Sequence, residues 1–405
     1  MKKEIVQKIS RFQSLGLIAA MIFLSVVIAG CGESTSNSNS LNTKKDVSQN
    51  PIKIGAVLDI SGSGSSLGIP ARDSIKMWEK QVNSSGGING RPVKVIILDN
   101  GSDETKAVLA FKKLVNEEKV VAVAGASQSG TTIAMINSAT QQKVPLVSAA
   151  ASIKIITPPG ERNWIFKTAQ NDSVVASRII DYLKEKKIKK VGFMSLNNAY
   201  GDSGLQEFSQ VAKAAGIQIA QSEKFGATDV DFTAQLTNIN KKKPEAVVVW
   251  AIPPSAALLT KQYRDLGLTM PLIHSHGIAN QTFISLAGNA ANGVIFPAGK
   301  LLVAESLPDT DSQKAGLIKY IEGYEKPNRP RSAFGGHGYD AISLIGKAIE
   351  KAGTDPAKIR NELEKMTTPG ISGVFKMSPS DHCGIDKSSL VLIEIQDGKW
   401  AILEK

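Results

Sequence analysis

Residues 120–157 read VVAVAGASQSGTTIAMINSATQQKVPLVSAAASIKIIT. The β-branched run at 120–124 is typical of a buried strand in a parallel sheet. Glycine and serine interrupt it at 125–130, and Ile133, Ile136 and Ala139 then recur at helical spacing. A second apolar run at 144–147 leads into another serine-rich turn. The stretch therefore predicts strand, turn, helix, strand and turn, the repeating unit of a doubly wound α/β sheet.

The two turns of this stretch carry hydroxyl groups and no strong base. In a doubly wound sheet such turns emerge at one edge, where these folds bind ligands. The first turn contains Ser127 and Ser129, and the second contains Ser148 and Ser152. Hydroxyls and free backbone amides beside a helix N-terminus suit a small anion such as a carboxylate. The stretch therefore predicts a binding site and not a reaction centre.

The alternation of strands and helices extends through the chain from Ile52 onward. Strands are predicted at 54–60, 93–98, 120–124, 144–147, 191–195, 217–220, 246–250, 272–274, 390–395 and 400–403. Helical patterns separate them, with a longer helical block at about 312–365. The pattern predicts two α/β lobes of similar size, with later segments crossing back and a cleft between the lobes.

Composition excludes several other classes of protein. The 405 residues are 42% hydrophobic and 21% charged, as is ordinary for a soluble globular protein. The net charge is +11, or +8 without residues 1–30, and this excess is spread over helix ends, as at 184–190 and 241–243, without interleaved aromatic residues or a nucleic-acid motif. We therefore expect no nucleic-acid partner. Apart from Cys31, the chain contains Cys383 as its second cysteine, so no disulfide framework is expected.

The start of the chain has the pattern of a targeting segment. Basic residues precede an apolar run at 15–28, and small residues then lead to Cys31. The pattern resembles a bacterial lipoprotein signal, which implies a signal peptide at 1–30 and lipid on Cys31. A transmembrane anchor is the alternative, but the apolar run is short for a span. The polar residues at 31–50 predict a flexible tether.

Motifs that could carry catalysis or bind a metal are weak. Ser66 lies in a G-x-S-x-G sequence, but several residues separate it from the preceding strand, which places it on a flexible loop. Ser203 lies in a Gly-Asp-Ser-Gly sequence typical of all-β proteases, a class that the α/β pattern excludes. His274 and His276 alternate along a strand and lack a third ligand at a typical spacing. We therefore expect no enzyme activity, no catalytic residues, no metal and no cofactor.

Six short motifs, each weak alone, follow one another in a characteristic order. They are IGAV at 54–57, GGINGRPV at 86–93, GASQS at 125–129, VPLVS at 144–148, AYG at 199–201 and HGYDA at 337–341. In this order and spacing, the chain from Ile52 onward resembles type I substrate-binding proteins of the Leu/Ile/Val-binding group. Those proteins are the capture components of ABC importers.

The resemblance implies the type I periplasmic-binding-protein fold. In this fold two doubly wound α/β lobes, joined by a three-strand hinge, close on a ligand in the cleft between them. We predict lobe I at 51–168 and 298–376, and lobe II at 169–297 and 377–405.

The resemblance also implies roles for several residues of the cleft. The ligand carboxylate would meet Ser129, and a ligand ammonium would meet Ala150 and Ser152. Tyr200 from lobe II would cover the ligand. The predicted ligand-binding set is completed by Leu67, Ser127, Trp250 and His276.

His276 marks a departure from the family pattern. Amino-acid binders of the family usually place an acidic residue of the second lobe against the ligand ammonium, and the resemblance implies that His276 occupies that position here. An imidazole with a pKa of about 6.5 cannot neutralise an ammonium as a carboxylate does. Either the amino group is held otherwise, or the ligand lacks one. Alternatively, His276 is a structural side chain just outside the cleft.

We expect a monomeric, extracytoplasmic, lipid-anchored solute-binding protein that delivers a small carboxylate ligand to an ABC permease with its ATPase. A branched-chain or other hydrophobic amino acid is the first candidate ligand. An aromatic or branched carboxylate or amide without an ammonium is the second. A ligand sensor for a signalling partner is the alternative function.

Overall fold

The computed structural model describes residues 50–403. The predicted signal peptide at 1–30, its Cys31 and nearly all of the tether at 31–50 lie outside the described residues. Within residues 50–403, no helix is both long enough and apolar enough to span a membrane.

The chain first forms a parallel α/β layer, which is the core of lobe I. Its strands are β1 (Ile52–Leu58), β2 (Val93–Asp99), β3 (Val123–Gly125), β4 (Leu146–Ser148) and β5 (Ile165–Lys167), and its helices are α1 (Ser65–Ser84), α2 (Glu104–Asn116) and α3 (Ser129–Gln142). The strands lie in the order β2-β1-β3-β4-β5, and every pair is parallel. Consequently the turns after β1, β3 and β4 share one edge of the sheet.

A second α/β layer follows and forms lobe II. Its strands are β6 (Lys190–Leu196), β7 (Gln218–Phe225), β8 (Ala246–Trp250), β9 (Leu272–His274) and β10 (Ile295–Gly299), and its helices are α4 (Asp172–Glu185), α5 (Ala199–Ala214), α6 (Thr233–Lys241), α7 (Ser255–Asp265) and α8 (Gln281–Ala287). Every side chain of β8, AVVVW, is buried, as expected for a central strand with helices on both faces.

The remaining elements return to both lobes. They are α9 (Lys314–Glu325), α10 (Ala333–Ala352), α11 (Pro356–Glu364), the two-stranded β11 (Thr367–Pro369) and β12 (Val374–Lys376), and finally β13 (Leu390–Gln396) and β14 (Lys399–Ile402). Helix α10 packs in the core of lobe I, whereas β13 and β14 extend the lobe II sheet as antiparallel strands. That sheet has the order β14-β13-β10-β9-β8-β6-β7. The predicted two-lobed α/β fold is confirmed.

Three segments connect the lobes: residues 168–171 after β5, the chain near Lys300 after β10, and the chain just before Leu390. The third crossing differs from the predicted boundary, since we assigned 377–405 to lobe II. Met377, Cys383 and Ile385 are buried in the core of lobe I. The chain therefore changes lobe about ten residues later than predicted, because these apolar side chains pack in the first lobe before the chain crosses.

Helix α1 begins at Ser65 and therefore contains both Ser66 and Pro70. Proline has no amide hydrogen, so Pro70 cannot donate to the carbonyl of Ser66 four residues earlier. The side-chain amide of Asn280 in lobe II donates to that carbonyl at 3.4 Å. The predicted flexible loop around Ser66 is thus wrong: the residue is helical and its carbonyl contacts the opposite lobe.

Candidate ligand-binding site

A cavity of about 230 Å³ lies between the two lobes. Lobe I contributes the loops after β3 and β4, lobe II contributes the starts of α5 and of the turn after β9, and α10 closes one side. The principal lining residues are Leu67, Glu104, Ser127, Gln128, Ser129, Gly130, Thr131, Ala149, Ala150, Ala151, Ala169, Asn198, Tyr200, Ile252, His276, Phe334 and His337. The volume is below the usual range for drug-sized ligands, so the cavity suits a small molecule.

The lobes are in contact around this cavity. Leu67 of α1 packs in the hydrophobic core of lobe II. The hydroxyl of Ser66 donates to the carbonyl of Pro253 in lobe II at 3.2 Å. Together with the contact from Asn280, these interactions link the two lobes beside the cavity.

Asp59, which sequence reasoning missed, organises the loop between β3 and α3. Its carboxylate accepts the amides of Ser127 at 2.7 Å and Gln128 at 2.9 Å, and the hydroxyl of Thr131 at 3.0 Å. Burial raises the pKa of Asp59, and these hydrogen bonds act in the opposite direction. Asp59 directly follows β1, the strand beside β3, and this position in the sequence could have indicated that it lies near the loop after β3. Asp59 therefore holds the loop in place and does not face the ligand.

The first turn of α3 presents amides to the cavity. Because the hydrogen bonds of a helix run four residues back, its first amides have no intrahelical acceptor. Ser129, Gly130 and Thr131 line the cavity, and within the described chain their backbone amides have no acceptor. The hydroxyl of Ser129 accepts the amide of Ser152 at 3.2 Å and can still donate its own hydrogen. This turn can bind a small anion.

Ser127 and Ala150 also lie on the cavity wall, as predicted for site residues, but Ser152 does not. Ser152 is fully buried behind Ser129, and its hydroxyl accepts the amide of Lys154 at 3.2 Å. That hydroxyl starts a 3₁₀ turn at Ile153 instead of facing a ligand. The spacing of the serines along the chain did not reveal that the hydroxyl of Ser152 is occupied, because the local hydrogen bond from the amide of Lys154 competes with a ligand for it.

Tyr200 and His276 contribute the wall on the side of lobe II. The hydroxyl of Tyr200 lies 2.9 Å from that of Ser275. The rings of Tyr200 and His276 meet edge to face at 6.0 Å. Trp250 is fully buried behind both rings, at 6.1 Å from Tyr200 and 6.3 Å from His276, and does not line the cavity. A side chain at Gly204 would collide with its indole, so this glycine lets Trp250 support the wall from behind.

Two buried histidines line the cavity, although only His276 was predicted. Nδ1 of His276 has no hydrogen-bond partner among the described residues. His337, from the HGYDA motif, has Nδ1 2.7 Å from the hydroxyl of Ser372. Burial lowers the pKa of His337 to about 3 and holds that of His276 well below its ordinary value. Both imidazoles are therefore neutral at physiological pH and can donate or accept one hydrogen bond per nitrogen.

Within residues 50–403, no group of three or more His, Cys, Asp or Glu side chains could hold a metal ion. His274, which neighbours His276 in the sequence, has Nε2 3.1 Å from the hydroxyl of Thr260 and is fully buried. Its ring packs against Phe283 and away from the cavity lining. His274 therefore packs inside lobe II, whereas His276 lines the cavity.

Comparison with known proteins agrees with this architecture. A family model described as periplasmic binding protein matches residues 51–399. The Leucine-, isoleucine-, valine-, threonine-, and alanine-binding protein of Pseudomonas aeruginosa is 27% identical over 319 residues, which cover 78% of this chain and 83% of that protein.

Solved structures show the same similarity. An extracellular ligand-binding receptor from Rhodopseudomonas palustris HaA2 is 29% identical, with a TM-score of 0.82, covering 88% of this chain and 100% of that one. The branched-chain amino acid transporter substrate binding protein LivJ from Streptococcus pneumoniae, in complex with isoleucine, is 26% identical, with a TM-score of 0.77 and the same coverage.

Proposed function

The chain belongs to the periplasmic binding protein family, in its type I, Leu/Ile/Val-binding branch, and we propose that it captures a small carboxylate ligand with an apolar body. Closure of the two lobes would trap the ligand, and the closed form would deliver it to the permease and ATPase of an ABC importer. The observation that carries the proposal is the first turn of α3, whose uncommitted amides face a small, largely apolar cavity.

The carboxylate is assigned to this turn for electrostatic reasons. The helix dipole and the amides of Ser129, Gly130 and Thr131 favour negative charge at that point. Ser127 adds a buried hydroxyl that has no partner in the described chain. A bound carboxylate would satisfy these donors, whereas a neutral apolar group would leave them unpaired at a cost.

The body of the ligand is expected to be apolar. Leu67, Ile252 and Phe334 supply large apolar side chains to the wall, and alanines supply small ones. Such walls favour aliphatic or aromatic groups through burial of apolar surface, at about 25 cal/mol per Å². A branched or aromatic acid fits this combination of an anion site and an apolar cavity.

The charges around the cavity favour an acid without an ammonium group. On the side of lobe II, the cavity offers the neutral imidazole of His276 where the family's amino-acid binders have a carboxylate. His337 adds a second neutral imidazole. Neither can balance an ammonium in a buried site, and an uncompensated buried charge is costly.

A specific observation favours the other candidate ligand, a hydrophobic amino acid. Of the cavity residues in the described part of the chain, Glu104 alone carries a carboxylate, and it comes from lobe I. Its carboxylate lies beside Gly130, so that a side chain at position 130 would collide with it. An ammonium group oriented toward this rim could pair with Glu104, although the side chain is exposed and such pairs contribute little.

Calorimetry separates the two candidates. Leucine, valine and phenylalanine are titrated beside 4-methylpentanoate, 3-methylbutanoate, 3-phenylpropanoate and benzoate. We expect binding of one or more of the acids and weaker binding of the matched amino acids. Tight binding of an amino acid with no response to the acids would establish a hydrophobic amino acid as the ligand class, and Glu104→Gln should then weaken that binding. Failure of every acid and amino acid to bind would contradict the proposed function.

We also propose that the protein is held at the outer face of the membrane through lipid on Cys31. The sequence pattern at 1–31 supports this proposal. The family is extracytoplasmic, and an anchored binding protein stays close to its permease.

A further inference from the structure

A lysine lies fully buried beneath the wall of the cavity. Lys167 ends β5, and none of its surface is exposed. Its Nζ donates to the carbonyl of Ala151, to Oδ1 of Asn171 at 2.8 Å and to the carbonyl of Gln170 at 3.4 Å. Three acceptors match the three hydrogens of an ammonium, whereas a neutral amine would offer only two. The three contacts therefore suit the protonated form of Lys167.

The three acceptors of this ammonium are all neutral oxygen atoms. Among the described residues, Lys167 forms no ion pair within 4.0 Å. Burial lowers its pKa, and Cys383, Asp172 and Asp381, none of which forms an ion pair with the lysine, act in the opposite direction. A buried charge without an adjacent counter-charge acts over a longer range than an exposed one, because little solvent screens it.

This charge lies close to the cavity. Ala151, whose carbonyl accepts from Lys167, lines the cavity, and so does Ala169, two residues after the lysine. The positive charge of Lys167 also contributes to the lowered pKa of both His276 and His337. The lysine thus lies beneath the wall formed by the loop after β4 and the first connection between the lobes, within electrostatic range of both cavity histidines.

We propose that Lys167 is a specificity-determining residue: its buried ammonium stabilises an anionic ligand and disfavours a ligand that carries its own ammonium. This inference rests on the proposed function and names the charge that selects the ligand class. The carboxylate gains attraction without touching the lysine, while the amides of α3 position it. A neutral amide gains no such stabilisation, and in a zwitterion repulsion of the ammonium opposes attraction of the carboxylate.

Asn171→Asp tests the inference with little structural change. The aspartate keeps the oxygen that accepts from Lys167, and the side chain of Asn171 makes no other hydrogen bond in the described chain. Aspartate is also favourable before the first turn of α4. The substitution therefore places a counter-charge against the ammonium while the lysine stays in position. Affinity is measured by calorimetry with benzoate against benzamide, and with 3-phenylpropanoate against 3-phenylpropanamide.

We expect Asn171→Asp to weaken binding of the acids on the order of tenfold and to leave binding of the amides nearly unchanged. Asn361→Asp is the matched control. Asn361 is exposed, and its oxygen accepts from Arg360 at 3.1 Å, so the same charge change there is screened by solvent. Lys167→Met provides a second variant that removes the charge itself and should reduce the ratio of acid to amide affinity in the same direction.

The outcomes separate the role of Lys167 from the proposed function of the protein. A wild-type protein that binds the acids, together with an Asn171→Asp variant whose acid-to-amide ratio is unchanged, would overturn the role of Lys167 alone. Equal weakening of acid and amide would show a purely structural role and would also overturn it. If the wild type binds neither acids nor amino acids, the proposed function itself fails.

Discussion

Ser129→Ala tests the anion site most directly. The hydroxyl of Ser129 has two roles. It accepts a hydrogen bond from the amide of Ser152 at 3.2 Å, and its own hydrogen remains available to a ligand carboxylate. Losing a hydrogen bond to a charged group costs about 1.5–3 kcal/mol, which corresponds to about a ten- to hundredfold increase in Kd. Binding should persist at this lower level, because the backbone amides of the turn remain.

The assay is calorimetry with the acid that binds the wild type most tightly, together with thermal unfolding of the free protein. Ser138→Ala is the matched control, since Ser138 is a buried serine of the same helix that lies outside the cavity lining. The unpaired amide of Ser152 should lower the stability of Ser129→Ala by about 1–3 kcal/mol. An affinity within about twofold of the wild type would refute the assignment of the carboxylate to this turn.

Three further predictions concern closure, pH dependence and anchoring. Asn280→Asp keeps the cap on the amide of Phe283 but removes the donor to the carbonyl of Ser66. We expect calorimetry to show a ligand affinity about two- to tenfold lower, with unchanged stability of the free protein. Unchanged affinity would argue against this contact as an interaction that favours lobe closure. Burial raises the pKa of Asp172 from 3.8 to about 6, so the stability it contributes is present below about pH 4 and is lost as the pH rises through about 6. In urea unfolding across this range, the free energy of unfolding should therefore depend less on pH in Asp172→Asn than in the wild type. An identical pH dependence in both proteins would contradict the raised pKa of Asp172. Mass spectrometry should find lipid on Cys31 as the first residue, and Cys31→Ala should leave the membrane fraction; an intact Met1 terminus would exclude this processing.

The fold could be predicted because its signals are local. The β-branched run before Gly125 and the helical spacing of Ile133, Ile136 and Ala139 depend on residues a few positions apart. Each such segment must bury its apolar face, and alternating strands and helices leave few ways to do so. The third crossing was misplaced because Met377, Cys383 and Ile385 have no periodic pattern that assigns them to one lobe.

The candidate site could be predicted in part. Ser127, Ser129, Ala150, Tyr200 and His276 all lie on the cavity wall, because turns after parallel strands meet at one edge of a sheet. Trp250 and Ser152 lie behind that wall. The residue type indicates which group could contact a ligand, but it does not indicate whether a neighbour already occupies that group.

The sequence by itself determined most of the order of strands and helices, the two-lobed architecture and the serine-rich turns, since these follow from spacing along the chain. Only the tertiary structure decided that Asp59 fixes the binding loop, that His337 joins His276 at the cavity, and that Lys167 lies beneath its wall. These relations join residues that are distant in sequence. Their effect depends on exclusion of water, because burial makes the imidazoles neutral and leaves the lysine charge unscreened.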